Sequence, residues 1–447
     1  MRSFLGIGFT GLFLLLGGAA FAATGGAPVS EKIPVPGGDG ETLLTIDYET
    51  TCAPSDPGTG AIRGEIRLPG RAVRFDFYLG NRHLELLLGR LAPGTSEVEV
   101  TVFPSSTCDL RSASYRAEPI VFGSKIEDLV RRYSPFFVVR KNQRSDRETD
   151  VPVALTYNVF PAENGRRIIQ YSLYYTDEDS KRRARQEEGQ MARYGRRLDI
   201  QWAYRVEVDP TGKKTRAWFQ GGILRTGIGH ETFRFKGRHL RGTDHPILYD
   251  ISDHNAYSDF PCFGLRELIG YHPAEVVEVP RPVSREAVLF ENPWLLKASD
   301  RELAKEGKLA HPAEDYLYVL VHGSAIHGKL QGELDLGDGE RILSGGGESS
   351  FDRLGEDAWG AEAFTALPVG ADRLARIAAG ESDVRGRFRF GPKCILGARA
   401  DLEFLRFFIV ERAGEAYRTR EISDRFACVF DARGLPDCRL GEAPSVP

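Results

Sequence analysis

The chain has 447 residues, of which 41% are hydrophobic and 27% are charged, and its formal net charge is −4. This balance is typical of folded proteins and supplies no strong electrostatic field for recruiting nucleic acid or an anionic membrane. The length exceeds what a single hydrophobic core normally serves, so we expect several domains.

Residues 1–22 have the pattern of an export signal. Arg2 is followed by the short apolar stretch Phe4–Leu16, and Ala20 and Ala22 are small residues at the two positions that a signal peptidase reads. No second apolar run of about 18 residues follows to predict a transmembrane segment. The sequence contains no Asn-x-Ser/Thr sequon, which fits a bacterial protein. We therefore predict a bacterial periplasmic or secreted protein.

The domain organisation follows from the spacing of β-prone runs and turn residues. Residues 23–40 are rich in Gly and Pro and predict a flexible linker. Short β-prone runs separated by Pro and Gly then predict an N-terminal β-sandwich over 41–122, a central β-sandwich over 123–290 and a β-rich C-terminal domain over 291–447. The expected fold class is mainly β, a multidomain arrangement of antiparallel β-sandwiches with a few short helices.

Helices and charged segments are expected between these strands. The capping-box spacing of Ser299–Glu302 predicts the start of a short helix, and Ala371–Ala379 predicts a helix that ends at Gly380. The segment Asp177–Arg197 is dense in Lys, Arg and Glu of mixed sign. It predicts a solvated loop or an exposed helix, with a docking surface as the alternative.

Six cysteines follow the export signal, an even number that favours structural disulfides in an oxidising compartment. Three pairs are preferred, although sequence alone leaves other pairings open. None of the cysteines forms a Cys-x-x-Cys motif, which disfavours a redox or zinc site. The preferred pairs are Cys52–Cys108, Cys428–Cys438 and Cys262–Cys394.

The segment Asp199–Asp209 has the clearest period-two pattern of the chain. Large apolar and aromatic residues from Ile200 to Val208 alternate with smaller or polar ones, which predicts a strand with one buried face. The aromatic residues of Tyr171–Tyr175 and Tyr204 offer a sugar-stacking platform, although the alternation places about half of them in the core.

Histidines and carboxylates are concentrated in one stretch of the central domain. Imidazoles and carboxylates together suit a divalent-cation site or an acid–base pair. Their spacing matches no standard motif, so a structural role is the alternative for each histidine. The stretch contains His230, His239, His245, His254 and His272, interleaved with Glu231, Asp244, Asp250, Asp253 and Asp259.

The central domain resembles, in its order of motifs, the family of vacuolar protein sorting-associated protein sixty-two and, more remotely, the necrosis- and ethylene-inducing toxins. The matching segments are Arg132–Pro135, Ile169–Tyr175, Asp199–Gln201 with the strand to Asp209, Pro246–Tyr249 and Asp253-His254. The resemblance implies a β-sandwich whose acidic segment binds a divalent cation at one end, with Asp199 and His254 as the residues carried across.

The chain departs from the Gly-Asp-Trp-Glu segment of that family. Gly195 is separated from Asp199, and Ile200 and Gln201 replace the Trp and the Glu. The loss of a carboxylate removes a ligand that a hard cation prefers, so a retained fold with a lost or altered site is expected.

Two functions remain after these steps. Phosphate-binding, dinucleotide-binding and Gly-x-Ser-x-Gly motifs are absent from the sequence. The first hypothesis is non-catalytic binding of an envelope or extracellular glycan or protein. The alternative is a metal-dependent hydrolase of glycan or phosphoester in which a divalent cation activates water. Its candidate catalytic residues are Asp199 and His254, and its candidate metal ligands are Asp199, His245, Asp253 and His254.

Overall fold

The structure is a computed structural model in which the protein is mainly β, with several antiparallel sheets and few helices. None of the described helices is long and apolar enough to cross a membrane. The described residues are 27–52, 61–78, 83–103, 105, 108–139, 150–177, 185–222, 231–252, 255–261, 269–271, 276–279, 284–326, 329–337, 339–344, 362–381, 386–393, 399–414, 416–430 and 435–440.

The N-terminal region pairs two layers of strands around one core. Strands β1, β6, β3 and β4 lie side by side in one sheet, and β5, β2 and β7 form the other. Alternate side chains such as Ile46 and Leu86 from one layer and Ile66 and Val100 from the other are buried together. The strands are β1 (Val29–Gly37), β2 (Glu41–Cys52), β3 (Ala61–Leu68), β4 (Arg71–Tyr78), β5 (His83–Leu87), β6 (Gly94–Phe103) and β7 (Cys108–Ile120).

Strand β1 lies within the segment that composition predicted to be a linker. Its residues Ile33 and Val35 are buried in the N-terminal core, and it pairs antiparallel with β6. Pro34 and Pro36 are tolerated because β1 is the edge strand of its sheet, where the missing N–H groups break no ladder. The linker prediction is therefore wrong for β1. The Gly and Pro content of the segment led to it, although the alternation of apolar residues there indicates a strand.

The central region continues the same sheet. Strand β16 joins β4 through the single pair Tyr271–Arg74, and the order then runs β16, β8, β14, β15, β12, β11, β10, β9, β17, with β13 on β12. The elements are α1 (Ile126–Tyr133), β8 (Phe136–Val139), β9 (Pro152–Pro161), β10 (Arg167–Tyr175), α2 (Arg185–Tyr194), β11 (Asp199–Val208), β12 (Lys214–Gly221), β13 (Glu231–Arg234), β14 (Ile247–Asp250), β15 (Tyr257–Ser258), β16 (Ile269–Tyr271) and β17 (Val276–Glu278).

The central sheet folds over where β15 meets β12, because only the pair Gly221–Tyr257 connects these strands. Side chains from both sections share one buried cluster that also includes α1. We call the side of β9–β12 that carries Tyr171 and Tyr204 into this cluster the inner face. At one end of the opposite, outer face, Tyr174 and Ile200 pack against the C-terminal region.

The C-terminal region contains two further antiparallel sheets, ordered β21-β18-β23-β24 and β20-β19-β22-β26-β25. Strand β18 is buried on both faces, since Leu317 and Val319 point into the core between the two sheets while Tyr318 and Leu320 pack toward the central region. The elements are α3 (Ala287–Glu291), α4 (Trp294–Lys305), β18 (Tyr316–Ile326), β19 (Lys329–Asp335), β20 (Arg341–Leu343), β21 (Glu362–Pro368), α5 (Ala371–Ala379), β22 (Arg387–Lys393), β23 (Arg399–Ala413), β24 (Ala416–Glu421), β25 (Phe426–Phe430) and β26 (Pro436–Leu440).

The predicted helix boundaries have mixed outcomes. Helix α5 has the predicted bounds, and Gly380 ends it in the left-handed conformation with φ 74°. Helix α4 begins at Trp294, directly after Pro293, so Ser299–Glu302 lies inside the helix and is not its start. Pro293 precedes the first turn, where a missing N–H costs nothing, and it is the stronger start signal.

One preferred disulfide is present between Cys428 and Cys438, which face each other on β25 and β26. Cys108 is disulfide-bonded as well, and Cys52 is its partner in the β2–β7 backbone register. Cys262 and Cys394 lie outside the described residues, so their pairing stays a prediction. A disulfide is compatible with export to an oxidising compartment.

Candidate functional site

A β-bulge in β11 decides which residues reach the outer face of the central sheet. Tyr204 pairs with Tyr171, and the next pair along is Trp202 with Ser172, so Ala203 is the extra residue. The bulge places Trp202 and Tyr204 on opposite faces, although simple alternation put them on the same one. Trp202 therefore shares the outer face with Arg205.

Trp202, Arg205 and a second tryptophan lie together on this outer face. Arg205 stands directly opposite Trp218 of β12, which brings their Cβ atoms to about 5 Å. The guanidinium carbon of Arg205 lies 4.2 Å from the centroid of the Trp202 ring. All three side chains are partly exposed. We call the surface formed by Trp202, Arg205 and Trp218 the tryptophan face.

Arg205 is held in place by its neighbours. Its Nε donates a hydrogen bond to Oε1 of Gln170, a fully buried residue directly opposite on β10. Burial lowers the pKa of Arg205, and the positive charge of Arg285 lowers it further. Among the described residues, no carboxylate forms an ion pair with Arg205. The guanidinium of Arg205 is thus held in one orientation and partly exposed, and it forms no ion pair with a carboxylate among the described residues.

The tyrosines that the sequence offered as a stacking platform are all buried. Tyr171, Tyr174, Tyr175 and Tyr204 have no exposed surface. The Tyr171 hydroxyl donates to the carbonyl of Val130 at 2.7 Å, and the Tyr174 hydroxyl donates to the carbonyl of Arg285 at 2.8 Å. The expectation that some of these rings meet a sugar is wrong because both faces of β10 are covered.

Asp199 lies at the start of β11, at the end of the inner face, and its carboxylate receives amide hydrogens. The Gln201 side-chain amide donates to both oxygens at 2.7 and 2.9 Å. The Asn255 amide donates to Asp199 Oδ2 at 2.8 Å and to Asp150 Oδ1 at 3.0 Å. Asn255 and Asp150 have positive φ values of 51° and 76°, a strained conformation that this network holds.

A third carboxylate, Asp250, lies beside this network. Tyr175, which is the register partner of Asp199, donates from its hydroxyl to Asp250 Oδ2 at 3.3 Å. The Tyr175 hydroxyl is also 2.8 Å from that of Tyr257. Burial raises the pKa of Tyr175 well above its ordinary value, and the neighbouring Tyr257 and the negative charge of Asp250 raise it further. Tyr175 is therefore a neutral hydrogen-bond donor here.

His245 lies at the other end of β14 from this carboxylate group. Five residues of extended chain, roughly 16 Å, separate it from Asp250. It is fully buried, with Nδ1 2.7 Å from the carbonyl oxygen of Ser134 and Nε2 2.7 Å from Oε2 of Glu41. Both ring nitrogens therefore lie within hydrogen-bond distance of buried oxygens on other elements. His245 thus links the central region to β2.

The described hydrogen bonds give Asp199 amide partners, and its role as a cation ligand stays a prediction. Amide hydrogens point at its oxygens, whereas a hard cation requires oxygen lone pairs directed at it. Across the described residues, no group of three or more His, Cys, Asp or Glu is arranged to hold a metal ion. Asp253 and His254, the two other predicted ligands, lie outside the described residues.

Sequence reasoning missed the tryptophan face. Trp202 was assigned to the buried side of β11, and Trp218 carried no motif. In the sequence, Trp202 is flanked by the small or polar residues Gln201 and Ala203, which does not show which face the indole occupies. The pairing with β10 reveals the bulge that places it on the outer face.

No family model matches the chain, and no curated protein matches it. Among solved structures, a ruminal GH26 endo-beta-1,4-mannanase matches with a TM-score of 0.16 and 16% identity, over 26% of this chain and 22% of that chain. A GH2 beta-galacturonidase from Eisenbergiella tayi, bound to galacturonate, matches with a TM-score of 0.13 and 10% identity, over 34% and 22%. The chain thus spans about a fifth of either structure, and scores this low carry no inference.

Proposed function

We propose that the protein is exported and binds a glycan, without catalysis, on the tryptophan face of its central region. The observation that carries the proposal is the placement of Trp202 and Trp218 beside Arg205 on one partly exposed sheet surface. Indole rings offer broad apolar faces for the C–H side of a sugar ring, and a nearby arginine supplies hydrogen bonds to its oxygens.

The state of Asp199 favours binding over hydrolysis. Both of its carboxylate oxygens accept amide hydrogen bonds within a buried network, which stabilises the end of the sheet. A catalytic carboxylate needs an oxygen within reach of a substrate or a water. The hydrolase alternative depends on Asp253 and His254 and stays a prediction.

Removal of either indole is expected to weaken glycan binding by about tenfold, since buried tryptophans dominate binding energies at interfaces. The measurement is affinity electrophoresis in gels that contain defined polysaccharides, with Trp202→Ala and Trp218→Ala beside the unmodified protein. Phe430→Ala is the matched control, because Phe430 is an exposed aromatic residue on β25.

The same experiment separates the alternatives. If both tryptophan variants fold and migrate like the unmodified protein in every polysaccharide gel, the tryptophan face does not bind glycan. If the variants instead lose binding to an envelope protein while glycans have no effect, the protein-binding hypothesis replaces this one.

Divalent cations are expected to leave the melting temperature unchanged, because the described donors around Asp199 are amide N–H groups. The test is a thermal melt with Mg²⁺, Ca²⁺, Mn²⁺ or Zn²⁺, together with the metal content of the purified protein. A stoichiometric metal, or a stabilisation that both Asp199→Asn and His254→Ala abolish, would favour the hydrolase and overturn non-catalytic binding.

A further inference from the structure

The charge of the tryptophan face is positive. Arg205 and Arg234 lie on either side of Trp218 in neighbouring strands, since Trp218 pairs with Arg205 of β11 and with Arg234 of β13. Two strand spacings separate these arginines, which is about 10 Å. Arg234 is exposed. The order across the sheet is thus cation, indole, cation.

The strand register places one carboxylate, Glu207, on this face, and it is already paired. Glu207 receives a hydrogen bond from Arg166 Nη1 at 2.7 Å and one from the hydroxyl of Thr215. The Thr215 hydrogen bond and the charges of Arg166 and Arg216 lower the pKa of Glu207, so it remains ionised and paired. Glu231 of β13 lies on the inner side, because its partner Gly221 is one residue beyond the outer-facing Gln220.

Arg205 retains the donors that an oxyanion uses. Its Nε is engaged by Gln170, and its charge is balanced by no described carboxylate. The remaining terminal amino groups form a planar fork, which matches a carboxylate or sulfate in a two-point hydrogen bond. Gln170 is a positioning residue, because it fixes the plane of the guanidinium through Nε.

We propose that the tryptophan face selects glycans that carry an oxyanion, either the carboxylate of a uronic acid or a sulfate ester. The anion pairs with Arg205, and the sugar ring that bears it packs on Trp218 or Trp202. This inference rests on the proposed function and adds the class of ligand to it.

The test is isothermal titration calorimetry with three small ligands of known charge. Trigalacturonate carries carboxylates only, its methyl ester has the same rings without charge, and a carrageenan tetrasaccharide carries sulfate only. We expect one of the two anions to bind at least about tenfold tighter than the ester, as charge-assisted hydrogen bonds add this much affinity. Which anion binds tighter identifies the source.

Arg205→Gln is expected to remove the preference for the anion and to leave binding of the ester unchanged. Arg205→Lys keeps the charge but loses the two-point geometry, so an intermediate preference is expected. Arg418→Gln on β24 changes the net charge equally at an exposed site on a different sheet and is the matched control. A melting curve for each variant confirms that it is folded.

The outcomes separate this inference from the proposed function. If Trp218→Ala weakens all three ligands while the ester binds as tightly as both the acid and the sulfated tetrasaccharide, glycan binding stands and the anion preference is wrong. The same conclusion holds if Arg205→Gln folds and keeps the preference. If no ligand binds at millimolar concentration, both proposals are contradicted.

Discussion

Replacement of Arg197 by methionine is expected to lower the free energy of unfolding by about 3–5 kcal/mol, the cost of leaving a buried charge unpaired. Arg197 is buried and donates to Asp300 Oδ1 of α4 and to the carbonyl of His311. Asp300 Oδ2 also accepts from the Tyr417 hydroxyl at 2.7 Å and from the Ala313 amide at 2.6 Å. The network joins the central region to the C-terminal region.

The charge state of Arg197 supports this expectation. Burial acts to lower the pKa of Arg197, but the negative charge of Asp300 together with the neighbouring Tyr316 and Tyr318 outweighs it, so the pKa is raised and the guanidinium stays charged. The measurement is guanidinium chloride unfolding followed by tryptophan fluorescence.

Arg406→Met is the matched control for the Arg197 experiment. Arg406 makes a two-point ion pair with Glu421, at 3.1 and 2.6 Å, but on an exposed surface. Exposed pairs contribute about 1 kcal/mol or less. Equal losses for Arg197→Met and Arg406→Met would show that the buried network does not hold the two regions together.

Replacement of Glu41 by leucine is expected to destabilise the protein by about 1–3 kcal/mol, because Nε2 of His245 then lies buried without its hydrogen-bond partner. The two side chains are almost fully buried, and they connect β2 to the segment before β14. Burial lowers the pKa of Arg71, and the negative charge of Glu41 partly offsets this effect. Urea unfolding measures the loss.

A double-variant cycle tests the pairing directly. His245→Leu alone leaves the Glu41 carboxylate buried without this partner, so a similar loss is expected, whereas the combined Glu41→Leu and His245→Leu variant removes both polar groups. Well-packed apolar replacements of a buried pair are often neutral, so the double variant is expected to recover much of the loss. Losses that simply add would mean that the two groups do not interact.

The strand content was predictable because alternation and turn residues are local signals. The strand predicted over Asp199–Asp209 is β11, Asp199–Val208, and the Ala371–Ala379 helix ends at Gly380 as its sequence indicates. Local signals gave wrong predictions at two places. Prolines in β1 predicted a linker where a strand forms, and the capping-box spacing at Ser299–Glu302 predicted a helix start that lies at Pro293 instead.

The charged segment Asp177–Arg197 shows why burial of ions was not predictable. Its composition predicted a solvated loop or helix, yet Arg196 and Arg197 at its end are buried. They are buried because partners distant in sequence neutralise them: Glu286 accepts from Arg196 Nε at 3.0 Å, and Asp300 accepts from Arg197. A sequence shows the charged residue but not the distant partner whose opposite charge offsets the cost of burying it.

The sequence by itself determined the mainly β fold class, most strand positions and the Cys428–Cys438 disulfide, since each depends on residues close together in the chain. The tertiary structure alone decided the tryptophan face. A single extra residue, Ala203, turns Trp202 toward Arg205, and only pairing with β10 creates that bulge. The same holds for His245, whose partner Glu41 lies 204 residues away. Both depend on contacts distant in sequence, which no local pattern encodes.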